Sequence, residues 1–83
     1  TYLDTYAWIL YKLGRYQDAL FFIKKAYDYG GFQSAVIVEH YGDILFRTKD
    51  IDNAVKMWEL SKALGNKSPL LLKKIEDKQI YEE

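Results

Sequence analysis

The chain has no cysteine, so neither a disulfide nor a thiolate metal site can hold it together. It has one proline and one histidine. A single proline leaves long stretches free of helix breakers. A single histidine leaves a zinc site short of its commonest ligand, since zinc needs three or four converging donors. Twelve basic residues balance twelve acidic ones, and no basic stripe runs along the chain. Phosphate neutralisation needs such a stripe, so nucleic-acid binding is not expected. No apolar run reaches the ~18 residues of a membrane span, so membrane insertion is not expected either. There is no Gly-rich phosphate loop, no Cys-His pair and no Ser-His-Asp set. An enzyme is therefore not expected, and no cofactor or metal.

What the chain has in quantity is aromatic side chains: eight Tyr, four Phe and two Trp among 83 residues. A domain this short buries only about 60% of the surface its unfolded form exposes, so large side chains matter to its thin core. It also repeats itself. Leu13-Gly14-Arg15-Tyr16-Gln17-Asp18-Ala19-Leu20 returns 35 residues later as Thr48-Lys49-Asp50-Ile51-Asp52-Asn53-Ala54-Val55. Tyr6 falls on Tyr41, Ala7 on Gly42, Leu10 on Leu45, Ile23 on Trp58 and Ala26 on Ser61. A period of this length marks adjacent copies of one supersecondary unit, each unable to bury its apolar face alone.

The apolar spacing predicts helices over residues 2–12, 16–29, 35–47, 51–64 and 69–80. The expected inward stripes are Leu3, Tyr6, Ala7 and Leu10; Ala19, Leu20, Phe22, Ile23, Ala26 and Tyr27; Val38, Tyr41, Gly42 and Leu45; and Ala54, Val55, Trp58 and Ser61. Gly14, Gly30-Gly31 and Gly65 end helices. Ser34, Asp50 and Ser68 are the expected N-caps, the last followed by Pro69 at the first helical position. Short connections make successive helices antiparallel, and residues 78–83 are expected to fray.

These positions resemble the tetratricopeptide repeat family, whose unit is a helix-turn-helix of about 34 residues. Leu3, Tyr6, Ala7, Leu10, Gly14, Tyr16, Ala19, Ile23 and Ala26 carry the resemblance in unit one, about residues 1–31. Val38, Tyr41, Gly42, Leu45, Ile51, Ala54, Trp58 and Ser61 carry it in unit two, about residues 34–66. The small residues let partner helices approach closely; Ala19→Leu or Ala54→Leu should overpack the joint. Unit two departs from the pattern at its turn, where Lys49 replaces Gly. Gly31 and Asn66 stand where the family has its closing Pro. In the last helix Leu72 and Ile75 take apolar positions. Glu76 takes a small one, and Lys73, Lys74, Glu76, Asp77 and Lys78 form a solvated side. The resemblance thus implies an all-α solenoid of two helix-turn-helix units plus a C-terminal capping helix, in one domain spanning residues 1–83. The chain, lacking an initial Met, reads as the end of a longer array. Its richness in Tyr and Lys suggests a bacterial source.

In that family the first helix of each unit lines a concave surface that binds peptides or partner helices. By position, the resemblance implies a groove of Asp4, Trp8, Tyr11 and Lys12 with Glu39, Asp43, Phe46 and Arg47, each set on one helix face. Trp8, Tyr11 and Phe46 would anchor an apolar segment. Asp4, Glu39 and Asp43 would favour Lys or Arg on it. Two other fates are open for the aromatics: Trp8 and Tyr11 packing on a preceding repeat, and Phe46 packing under the capping helix. Asp4, Trp8 and His40 stand where a carboxylate-binding clamp needs Lys, Asn and Arg, so that subclass is rejected. The lone His40 is a surface or partly packed histidine. Tyr2, Tyr27, Tyr29, Phe21, Phe32 and Tyr81 are packing residues on the simplest view, with Phe21 also a candidate for a homotypic contact on the convex side.

The expected function is a protein–protein interaction module with an unidentified protein or peptide partner. The alternative is a structural module for self-association or intramolecular docking, that is, a homo-oligomer or a docked domain. Single-stranded RNA binding comes third, because pentatricopeptide units share the 35-residue length.

Overall fold

The computed structural model describes residues 2–80 and, among them, an all-helical molecule. Five α-helices follow in order: α1 (Tyr2–Lys12), α2 (Tyr16–Asp28), α3 (Ala35–Arg47), α4 (Ile51–Ala63) and α5 (Pro69–Asp77), with a 3-10 turn over Gly31–Gln33. α2 and α4 stop one residue short of expectation. α5 stops three short, where Lys78 turns left-handed at φ 54°. Among the described residues no helix is long and apolar enough to cross a membrane.

α1 packs on α2, α3 on α4, α2 on α3, and α5 on α4. The first core gathers Ala7, Leu10, Tyr11, Ala19, Ile23 and Ala26 from α1 and α2 with Ile44 of α3. The second gathers Leu45, Ala54, Trp58 and Leu71 from α3, α4 and α5. Ala7, Ala19 and Ala54 are fully buried, as close helix approach requires. Gly42 is tighter still: a Cβ there would lie 2.5 Å from the Trp58 ring, so the indole fits only against bare backbone.

Both interhelix turns of the repeat are left-handed. Gly14 takes φ 80°, and Lys49, its counterpart, takes φ 70°. Unit two therefore keeps the turn and bears the steric cost of a side chain in that region, about 1–2 kcal/mol. Among the caps, Ser34 Oγ accepts from the Ile37 amide at 3.4 Å. Asp50 makes no side-chain cap and accepts instead from Asn53 Nδ2, at 2.8 Å. Ser68 makes none either; its own amide donates to Asn66 Oδ1, at 3.0 Å.

Several inward expectations are corrected. Ile44, outside the expected stripe, is fully buried because α3 faces two neighbours, α4 on one side and the α1–α2 pair on another. Tyr6 is half-exposed, touching Phe22 edge-on at 4.7 Å. Tyr29 and Phe21 are exposed rather than packed, while Tyr27 packs edge-on against Tyr41 at 5.3 Å. Leu72 is exposed and Leu71 buried. The spacing from Ser34 to Ser68 is 34 residues, which sets Leu71 at the place of Ile37 and Leu72 at that of Val38. Ile37 faces the preceding pair, as Leu71 does. Val38 is buried with α3 packed on α4, and among the described residues no helix follows α5 to do the same for Leu72. Ile80, expected in a fraying tail, packs on the second core. Tyr81 and the Tyr2 side chain lie outside the described residues.

Candidate interaction surface

The eight residues expected to form one groove separate into two clusters with different chemistry. The first bridges α1 and α3. The Trp8 ring lies nearly parallel to Tyr11, with centroids 4.6 Å apart, and to His40 of α3, at 3.9 Å. Lys12 Nζ sits 5.2 Å above the Trp8 ring. Arg47 Nε donates to Tyr11 Oη at 3.3 Å, and its guanidinium lies 5.9 Å from the Tyr16 centroid. Lys12 and Arg47 are 35 residues apart and occupy the last turns of α1 and α3. Cations there also favour the negative ends of both helix dipoles. Tyr11 is buried, so it supports the cluster rather than presenting a ring to a partner.

His40 is the hinge of this cluster. Burial lowers its pKa below the usual 6.5, against the pull of Glu39 and Asp4, which favours the neutral imidazole. Its Nδ1 is buried without a hydrogen-bond partner among the described residues. Asp4, half-buried, belongs to the same neighbourhood by its field on His40. No group of three His, Cys, Asp or Glu suited to a metal occurs among the described residues.

The second cluster corrects the expected acidic groove. Asp43 is 5% exposed and Lys74, expected on the solvated side of α5, is 6% exposed. Lys74 Nζ donates to Glu39 Oε2 at 2.8 Å and to Asp43 Oδ1 and Oδ2 at 3.0 and 3.2 Å. Trp58 Nε1 donates to Asp43 Oδ1 at 3.0 Å. Asn66 Nδ2 donates to Glu39 Oε1 at 2.9 Å and to Ser61 Oγ at 3.0 Å, while Ser61 Oγ donates to the Ala35 carbonyl at 2.6 Å. Phe46 is half-buried on this core, tilted against Trp58 at 6.0 Å, which is the packing alternative rather than an open anchor.

Burial pushes Asp43 up to about 6, beyond what Lys74 and the Trp58 donor offset, and the negative charge of Glu39 adds to the rise. Burial alone would lower Lys74, but its two carboxylates outweigh it and hold the amine above the usual lysine value. The cation expected on a ligand is thus supplied by the chain's own last helix. Lys74, Asn66 and the Trp58 donor were missed from the sequence. The signal was the Ser34-to-Ser68 register, which sets Lys74 at the place of His40, opposite Asp43 as His40 is opposite Trp8. Comparison with family models, with curated proteins and with solved structures returned no match.

Proposed function

We propose that this chain is a non-catalytic protein–protein interaction module, two helix-turn-helix units of tetratricopeptide type followed by a capping helix. Its partner-binding surface is the α1–α3 face around Trp8, and the segment it takes is acidic. One observation carries this: Lys74 of the last helix already binds both Glu39 and Asp43, while Lys12 and Arg47 occupy equivalent positions of the repeat beside an aromatic cluster. That reverses the charge preference read from sequence. Aromatic rings and arginine are the residue types that dominate interface energetics. The helices fix these side chains beforehand, so little ordering entropy is lost on binding.

The test is titration of the chain with a short Asp- and Glu-rich peptide carrying one aromatic residue, and with its Lys-substituted counterpart. The acidic peptide should bind in about the micromolar to millimolar range. Binding should weaken with salt. Lys12→Glu with Arg47→Glu should reduce it at least about tenfold, the loss of 1.4 kcal/mol or more. Equal binding of both peptides, or no response to the double variant, sinks the proposal.

A further inference from the structure

The chain holds two versions of one seat between helices. At the second joint α5 sets Lys74 against α3, and its ammonium meets Glu39 at 2.8 Å and Asp43 at 3.0 Å. At the first joint α3 sets His40 against α1. His40 lies 34 residues before Lys74, and Asp4 and Trp8 lie 35 before Glu39 and Asp43. The His40 ring stacks on Trp8 at 3.9 Å and stands in the field of Asp4. One seat therefore holds a lysine cation with two carboxylates. The other holds a titratable ring with one carboxylate and, in place of the second, an indole.

That ring is placed to respond to added charge. Its Nδ1 is buried without a hydrogen-bond partner among the described residues. No hydrogen bond at that nitrogen fixes the protonation state, so burial and the local field decide it. Burial is the largest influence against the charged form, and Lys74 of α5 and Lys12 of α1 add to it. Glu39 of its own helix and Asp4 of α1 favour the charged form. Arg47 follows two turns later on α3 and bonds to Tyr11. Lys12 is a group that an acidic segment would neutralise, and it stands 5.2 Å above the same Trp8 ring. A carboxylate there cancels one opposing charge and adds one favouring charge. The face of an indole also attracts a cation laid against it.

On the reading that this face takes an acidic segment, we propose that binding of the segment is coupled to uptake of one proton by His40. The segment supplies at the first joint the second negative charge that Asp43 supplies at the second, and the proton comes from solvent. By linkage the effect is reciprocal: acid tightens the segment, and the segment holds the proton on His40 to higher pH. Histidine titrates above the range of Asp and Glu, so the segment stays ionised while the ring gains its charge.

Two titrations of the 83-residue chain with the Asp- and Glu-rich peptide read the result. NMR of the imidazole, one ring in the whole chain, gives its pH midpoint, which should rise when the peptide is bound. Calorimetry from about pH 7.5 to about pH 5.5 should show affinity tightening about threefold or more. His40→Gln cannot take the charge and should flatten that slope, whatever it does to the affinity itself. Asp43→Asn removes another group that titrates in this range, at about 6, and should leave the slope in place. Peptide binding with an unmoved imidazole midpoint, or affinity that is flat or weakens toward acid, overturns the coupling and leaves the site intact. A slope that survives His40→Gln or disappears with Asp43→Asn overturns it as well. Absence of peptide binding at every pH overturns the site and the coupling together.

Discussion

At the residue scale the tightest contact is Gly42 on the Trp58 indole. A methyl group there meets ring atoms at 2.5 Å, and the ring is pinned by its bond to Asp43. Gly42→Ala should therefore destabilise by about 1–3 kcal/mol, the cost of an overpacked core, measured by urea denaturation. Asp43 gives a pH dependence of definite sign. Its folded-state pKa is raised from 3.8 to about 6, with burial the main cause and Glu39 adding to it. Between those values the folded chain holds a proton that the unfolded chain has released. The group's contribution is thus greatest at the acid end and is lost as pH rises through about 6, by at most about 3 kcal/mol. His40, lowered below 6.5, acts in the opposite direction as pH falls. The clean measurement is the difference between the chain and Asp43→Asn. The natural chain should lose stability relative to the variant from pH 4 to pH 7; a flat difference contradicts the assignment.

At the element scale α5 is a nine-residue helix, too short to persist alone in water. It is held by Leu71 in the second core and by Lys74 on two carboxylates. Lys74→Met leaves Asp43 buried without its cation and should cost about 3–5 kcal/mol, the range for breaking a buried pair from one side. Adding Asp43→Leu should recover much of that loss, because the stranded charge goes with it. Amide exchange across α5 is the readout, and additive losses in the double variant would show that the pair is not the anchor. The helices themselves were legible from apolar spacing and glycine stops, to within a residue for α1 to α4. The end of α5 was not, because Lys78 leaves the helix for a left-handed conformation that no local signal for Gly or Asn announced. The caps were half legible: Ser34 works as expected, whereas Ser68 makes no side-chain cap and its own amide donates to Asn66, read as a missing Pro.

For the whole molecule, the pairing of helices followed from the 35-residue repeat, down to Ala7, Ala19 and Ala54 at the crossings. The candidate site was legible only in part. Trp8, Lys12 and Arg47 come together as their equivalent positions suggest. Asp43, Glu39 and Phe46 do not stay open, because position on a helix face says nothing about which later segment will lie across it. Deciding that needed the joint between α3 and α5, where one lysine in a run of charged residues turns inward. Periodicity marks Lys73 and Lys74 alike as polar; only the shift from a 35- to a 34-residue step separates them.

Among the described residues the most extensive contacts join helices adjacent in sequence, and the α1–α3 and α3–α5 joints skip only one helix. Chains built that way close short loops first and seldom wait for distant segments to meet. Helical domains rich in local contacts reach the native state in about microseconds to milliseconds. The nine-residue α5 depends on the surface of α3 and α4, which supplies its apolar contacts through Leu71 and its ion pairs through Lys74.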